Sequence, residues 1–296
     1  YLILAIIFFL KSLLFFKIIN IKKIYFENMI KEVNPKIAVG SDFGEKIFLF
    51  KKIFPQKTSI AFQYSFVFRE RKKDYINMLK NKEADYFFVF NKNMKQLVNF
   101  IFKKKKTKVL ISGSIRNNSK KLKKAHKKNI LYISEFRSEN KKEIKRNAKI
   151  LRNTKKNNLE NHIYLKLISN YYKKRNQKIF LALASNRKDK MNQTNLKKQE
   201  IEYFSKINNN LVFSNKHSYD LAKNAKIIFS NLSNLGLELE SMGEKVLFYQ
   251  IGKIKINQKK FEKIVKKIKK TNLKNEYKIF YDNNNSKLIK LIYKQL

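Results

Sequence analysis

The residues best suited to chemistry lie in one stretch, Lys226–Tyr249, KIIFSNLSNLGLELESMGEKVLFY. It reads as strand, polar turn, helix, turn and strand. The turn Ser230–Asn234 offers hydroxyls, amides and backbone N–H groups at the start of a helix. Unpaired donors and the positive end of the helix dipole favour a phosphate there. Ser233, Asn234, Leu235 and Gly236 therefore form a candidate phosphate cradle, although Ser233 or Asn234 would serve equally as an ordinary N-cap. On the helix, Leu235, Leu239 and Met242 share one face, and Asn234, Glu238 and Ser241 share another. Glu238 thus stands one turn in, beside the polar turn. A carboxylate in that position accepts both hydroxyls of a ribose; the alternative is a solvated helix carboxylate. Gly243 reads as a left-handed helix stop.

Other candidates are dispersed. Ser114 and Arg116 follow a strand in the stretch Gly113–Asn118 and suit a phosphate or an acceptor hydroxyl; a plain turn with a surface arginine is the alternative. Arg137 and Arg187 each follow a strand and could neutralise a leaving diphosphate, or be two more surface cations. Asp42 could deprotonate an acceptor hydroxyl or form a turn beside Gly44. His217 precedes a helix and could meet a base, or simply flank the helix. There is no cysteine, and His126, His162 and His217 lie far apart, so no metal site is expected.

These residues need a scaffold, and the chain supplies an α/β alternation. Expected strands are Lys36–Val39, Ser59–Phe62, Tyr86–Phe90 and Val109–Ser112, then Asn129–Ser134, Lys178–Ala184, Leu211–Phe213, Lys226–Phe229 and Lys245–Tyr249. Each is a nearly continuous apolar run, the mark of strands covered on both faces. Helical spacing fills the intervals at Tyr75–Lys82, Met94–Phe102 (with Leu97, Phe100 and Ile101 on one face), Ile201–Ile207 and Tyr219–Ala225. Such alternation implies βαβ units and doubly wound parallel sheets. The polar stretch Asn117–Lys128 separates two sets of units. The domains are placed at 1–125 and 126–296, the second taking the C-terminal helices. The chain begins with Tyr, so the first domain is expected to be truncated at its start.

The formal net charge of +46 over 296 residues suggests attraction to anions. Lys, Asn, Ile and Phe are over-used together, however, and all four have A- or T-rich codons. Only Lys103–Lys106 and the stretch 120–128 form tight blocks. A basic nucleic-acid-binding protein would carry a local patch with interleaved aromatics, so no specific nucleic acid is expected. Tyr1–Ile19 is largely apolar and reads as a buried element or a membrane contact.

The pattern strand–S-x-x-G-x-E–small–x-G-x-K-V-L-F, carried by Ser233, Asn234, Leu235, Gly236, Glu238, Gly243, Lys245, Val246, Leu247 and Phe248, resembles the donor-binding segment of GT-B-type surface carbohydrate (capsule and lipopolysaccharide) biosynthesis proteins, related in fold to nucleotide-sugar 2-epimerases. Asn34-Pro35-Lys36, EADYFFVFNK (Glu83–Lys92), VLISGSIRNN (Val109–Asn118), KNILYISEFR (Lys128–Arg137) and HSYDLAKNAKIIFS (His217–Ser230) agree with it. Two departures stand out: Asn231 occupies the usual acidic position, and Gln63-Tyr64-Ser65 lacks the usual glycine. The resemblance implies two Rossmann-like domains facing a cleft. The second would hold the donor, and the reaction would be a metal-independent glycosyl transfer for the cell envelope. The implied partners are a nucleotide sugar, as substrate and with no separate cofactor, and a glycan or lipid-linked acceptor. The implied location is the cytoplasm, peripheral at the inner face of the membrane, where lysines meet an anionic leaflet. The alternatives are an epimerase or hydrolase on the same fold, or a basic nucleic-acid- or membrane-surface-binding protein.

Overall fold

Continuous apolar runs too short for buried helices, each ended by a polar or small residue, become parallel strands when helices cover them. A computed structural model describes residues 21–67, 72–119, 127–138, 148–186, 193–231, 233–248, 257–267 and 277–295. It divides into two units, residues 1–120 with 280–296, and residues 121–279. All nine expected strands form, within one or two residues of their anticipated ends.

The first unit runs α1 (Ile21–Val33), β1 (Ile37–Ser41), α2 (Glu45–Ile53), β2 (Thr58–Phe62), α3 (Lys72–Leu79), β3 (Tyr86–Val89), α4 (Lys92–Ile101), β4 (Lys108–Ile111) and a short α5 (Ile115–Asn118). Its sheet is parallel, with order β1-β2-β3-β4. Side chains alternate between its faces. Ala61, Phe87, Val89 and Val109 pack with Ile47 and Phe48 of α2, Tyr75 and Leu79 of α3, and Met94 and Val98 of α4. Phe100 does not join them. It is 70% exposed, because the buried stripe of α4 runs through Met94, Val98 and the half-buried Leu97 and Ile101.

The second unit runs β5 (Asn129–Ile133), α6 (Ala148–Lys173), β6 (Ile179–Ala182), a 3-10 turn (Ala184–Asn186), α7 (Gln193–Ser205), β7 (Leu211–Ser214), α8 (Ser218–Lys223), β8 (Ala225–Ser230), α9 (Asn234–Ser241), β9 (Val246–Phe248) and α10 (Gln258–Lys267). Its parallel sheet has the order β7-β6-β5-β8-β9. The chain winds outward one way from β5 through β6 to β7, crosses back, and continues through β8 to β9. With right-handed crossovers the two directions put helices on opposite faces. On one face Tyr164, Leu165 and Ile168 of α6, Phe204 of α7 and Phe261 of α10 pack on Tyr132, Ile179, Leu181 and Phe229. On the other lie α8 and α9. This sheet is doubly wound.

The chain then returns to the first unit as a 3-10 turn (Asn283–Asn285) and α11 (Ser286–Gln295). This corrects the assignment of everything after residue 126 to the second domain. Leu288, Leu291 and Ile292 of α11 cover Ile60, Phe62, Tyr86, Phe88 and Leu110, the face of the first sheet opposite α2–α4. The reason is topological. A sheet wound in one direction receives all its crossover helices on one face, so its other apolar face needs a cover from elsewhere.

No helix among the described residues is long and apolar enough to cross a membrane. The apolar run Tyr1–Ile19 lies outside the described residues.

Candidate functional site

In doubly wound sheets ligands bind beyond the carboxyl ends of the strands where the winding reverses. In the second unit that point is β5 beside β8, whose last residues Ile133 and Ser230 are register partners. The chain therefore leaves the sheet side by side at Ser134 and Asn231.

The β8 loop is built around two serines. Ser230 Oγ lies 2.9 Å from Ser233 Oγ and accepts from the Ser233 N–H at 3.1 Å. Ser233 Oγ accepts from the Gly236 N–H at 2.9 Å and so caps α9. The capping role, one of the two readings of Ser233, is realised, and it holds the helix N-terminus directly over the strand end. Gly236 permits this closeness. A β-carbon there would stand 2.5 Å from Ser230 Oγ and 3.0 Å from the Phe248 ring. Asn234 and Leu235 occupy the first turn and are half-buried. The far end of α9 closes in a Schellman motif: Glu244 N–H donates to Leu239 O at 3.1 Å and Gly243 N–H to Glu240 O at 2.9 Å. Gly243 has φ +86°, as its reading as a left-handed stop requires.

Glu238 departs from expectation. Both readings of it, ribose acceptor or solvated carboxylate, place it at the surface, yet it is 1% exposed. Buried Leu237 and Leu239 flank it, so the face that packs inward is broader than Leu235, Leu239 and Met242. Its carboxylate accepts a hydrogen bond from the Tyr219 hydroxyl at the start of α8. Tyr219 in turn lies parallel to the exposed His217 ring, 5.7 Å away between centroids and 11° apart in plane. His217 Nδ1 accepts from the Tyr219 N–H at 3.4 Å as the N-cap of α8. The structure thus joins Glu238 and His217 through a tyrosine that sequence reasoning did not single out.

The β5 loop carries Arg137, whose side chain is exposed. Three asparagines of α6 brace it. Asn158 is fully buried; it accepts from the Arg137 N–H at 3.0 Å and donates to the Arg137 carbonyl at 2.9 Å. Asn161, also fully buried, accepts from the Tyr132 hydroxyl at 2.8 Å and the Glu135 N–H at 3.3 Å. Asn157 donates to the Glu135 carbonyl at 2.8 Å. Burial pushes the Tyr132 phenol well above its ordinary range, so it stays a neutral donor. The signal for this brace was present. Asn158 and Asn161 fall at helical spacing with the buried Leu165 and Ile168, polar residues in an apolar stripe. Abundant asparagine elsewhere conceals it. After β6, Glu200 of α7 does similar work: buried, it accepts from the Ala184 N–H at 2.9 Å, the Ser185 N–H at 3.1 Å and the Ser185 hydroxyl at 2.9 Å. Arg187, expected to follow that strand, lies outside the described residues.

The remaining candidates belong to the first unit. The Gly113–Asn118 stretch is occupied by the returning tail. Gly113 has φ +75° and forms an antiparallel bridge with Tyr281, and a β-carbon on it would overlap the Phe280 carbonyl. Asn118 accepts from the Asp282 N–H at 3.1 Å and donates to Asn285 Oδ1 at 2.9 Å and to Ser112 O at 2.7 Å. Ser114 is buried and precedes α5. The side chain of Arg116 lies outside the described residues.

Asp42 is likewise an internal fastener and not an open base. It has no exposed surface; its oxygens accept from the Tyr64 N–H at 3.0 Å and the Tyr75 hydroxyl at 2.8 Å. Burial raises its carboxyl to about 6, against the lowering effect of these hydrogen bonds.

No curated protein matches this chain. Among solved structures it is similar to a UDP-GlcNAc 2-epimerase from Neisseria meningitidis bound to UDP-GlcNAc, at 13% identity over 90% of this chain and 78% of that one, with a TM-score of 0.54. It is also similar to a UDP-GlcNAc 2-epimerase from Methanocaldococcus jannaschii, at 11% identity over 93% and 81%, with a TM-score of 0.55. At such identities the likeness establishes the GT-B-like fold. A family model described as "putative O-antigen biosynthesis protein" matches residues 63–263, more than half of the chain, and the chain belongs to that family.

Proposed function

We propose that this chain is a glycosyltransferase that takes a nucleotide sugar as donor in surface-polysaccharide biosynthesis. The observation that carries the reading is the switch-point construction of the second unit. A helix N-terminus is held against the end of β8 by Ser230, Ser233 and Gly236, beside a rigidly braced loop that presents Arg137. Backbone donors at a helix start suit a diphosphate, and a guanidinium suits the charge on the departing one. Ser233, Asn234, Leu235 and Gly236 form the cradle in this reading. Glu238 acts from behind, fixing Tyr219 and through it His217, which faces the base or ribose. Arg137 and Arg187 stand in for the charge a metal would supply. Membership of an O-antigen biosynthesis family fits a carbohydrate substrate.

A thermal-shift screen against UDP-, GDP-, CDP- and CMP-linked sugars, with EDTA present, tests this, since a ligand that binds only the folded state raises the melting temperature. One nucleotide class should raise it, and Arg137→Ala should remove most of the shift. No shift with any donor would sink the reading.

An epimerase or hydrolase is the second reading, favoured by the likeness in fold to 2-epimerases. Deprotonation at a sugar carbon calls for accessible acid–base groups, whereas Asp42 and Glu238 are both buried and hydrogen-bonded. Product analysis with and without an acceptor separates the two: turnover without acceptor would favour the second. Peripheral attachment to an anionic leaflet, through the distributed lysines, accompanies the first reading as a weaker proposal. Pelleting with anionic vesicles that fails to fall with added salt would count against it.

A further inference from the structure

Most exposed apolar side chains of the described residues are scattered, which is ordinary for a folded protein. Phe43 and Tyr64 differ. They follow the carboxyl ends of the adjacent strands β1 and β2, whose last residues Ser41 and Phe62 are register partners. Their rings meet edge to face, 6.3 Å between centroids and 83° apart in plane, and remain 53% and 56% exposed. Two large aromatics side by side in water form a patch that folding alone does not explain.

The backbone beneath them is unusually well fixed. Buried Asp42 accepts from the Tyr64 N–H and the Tyr75 hydroxyl, while its own N–H donates to Phe62 O at 2.9 Å. Buried Gln63 donates to Ser65 O at 2.9 Å and accepts from the Phe90 N–H at 3.0 Å. The Gln63 N–H also donates to Phe88 O at 2.8 Å. Each ring thus stands next to a buried polar side chain whose hydrogen bonds tie its loop to a neighbouring element. A rigid corner of two perpendicular rings is preorganised for a ligand.

The charge pattern narrows the occupant. Lys and Arg make up 68 of the 296 residues, yet Ser41–Gly44 and Phe62–Val67 contain neither. In so basic a chain, two described loop segments that carry an aromatic pair and no cation of their own suit a neutral ligand better than a phosphate or an anionic headgroup. Both rings stand just beyond the carboxyl ends of two paired parallel strands. We propose that Phe43 and Tyr64 form a sugar-binding platform for the glycan acceptor. One aromatic face would stack on the C–H face of a neutral pyranose and the second ring would wall its edge. The proposal rests on the reading of the chain as a carbohydrate enzyme, and it assigns the acceptor side, which that reading left without residues.

Saturation-transfer NMR on the full chain tests it. The probes are the methyl glycosides of N-acetylglucosamine, galactose, mannose and rhamnose. At least one should receive saturation at its ring protons. That signal should fall several-fold in Phe43→Ala and in Tyr64→Ala, persist in Tyr64→Phe, and be unchanged in Phe100→Ala, a still more exposed ring elsewhere. Both rings are exposed, so each alanine variant should keep the native melting temperature; a variant that does not is replaced by Phe43→Leu or Tyr64→Leu. No transfer to any glycoside, or equal transfer in the alanine variants, overturns the platform. So does loss of pelleting with phosphatidylglycerol vesicles in those variants without any glycoside signal, because the pair would then be a membrane contact. The nucleotide-sugar thermal shift is read on the same samples. Its absence from the native chain, with glycoside binding intact, would remove the transferase reading and leave the platform standing.

Discussion

The two sheets use the same unit, parallel strands joined by helices, and differ in winding. The first runs β1-β2-β3-β4 and never reverses among the described strands. The second runs β7-β6-β5-β8-β9 and reverses between β5 and β8. That difference decides what the strand ends can do. A sheet that reverses covers both faces with its own helices and opens a crevice at the reversal. A sheet that does not reverse has one apolar face without crossover helices. Here the chain's last helix covers that face, and the β4 loop holds the returning tail. The loop that looked suited to phosphate in the first unit therefore receives the tail, while in the second unit the loop after β8 caps α9 beside the asparagine-braced loop after β5.

The largest expected effect breaks the first half of this comparison. Gly113→Ala would place a β-carbon on the Phe280 carbonyl, in a backbone conformation that favours glycine. We expect the first unit to lose about 4 kcal/mol or more and hydrogen exchange to rise along residues 280–295. The second unit should be unaffected. Unchanged protection of the tail would show that the loop does not hold it.

Gly236→Ala is the counterpart in the second unit. The clash with Ser230 and Phe248 should push the start of α9 off the strand end, destabilising by roughly 1–3 kcal/mol. Nucleotide-sugar binding should weaken more than tenfold. Equal affinity would separate the cradle from its packing.

Tyr219→Phe removes one donor from buried Glu238. Hydrogen bonds to charged groups are worth about 1.5–3 kcal/mol, so denaturant melts should show a loss near the lower figure. The stacking with His217 should survive.

Asp42→Asn should change least at neutral pH, where relief of a buried charge offsets weakened hydrogen bonds; its signature is a slope. The folded pKa, about 6, lies above the ordinary carboxyl value of 3.8. Between those values the folded state binds more protons than the unfolded one, so this group's contribution to stability falls as pH rises from about 4 to 6. Melting temperatures across that range should show the slope in the native chain and a flatter line in the variant. Parallel lines would mean that the carboxyl is not perturbed.

Local pattern was enough to find the strands, because a buried parallel strand is a short apolar run whatever its neighbours. Ser233 as cap and Gly243 as stop were legible for the same reason: capping depends on the residues within one turn. The face of α4 was misjudged at Phe100 because helical spacing alone permits two overlapping stripes, and the sheet accepts only one of them. Glu238 was read as surface because a carboxylate usually is; only α8, arriving from a different crossover, supplies the Tyr219 hydroxyl that makes its burial tolerable. Of the two readings of Asp42, the turn beside Gly44 was legible locally and forms; its burial was not, because Tyr75, which donates to it, lies more than thirty residues away.

By itself, then, the amino-acid order determined the α/β class, the nine strands, the capped helix of the donor-type segment and the family pattern it carries. All of these arise from contacts within a few residues. Tertiary structure decided which carboxylates are buried, which loop receives the tail, and that the chain's end belongs with its beginning. Those depend on strand order and on the partner facing each side chain, and short-range sequence spacing encodes neither.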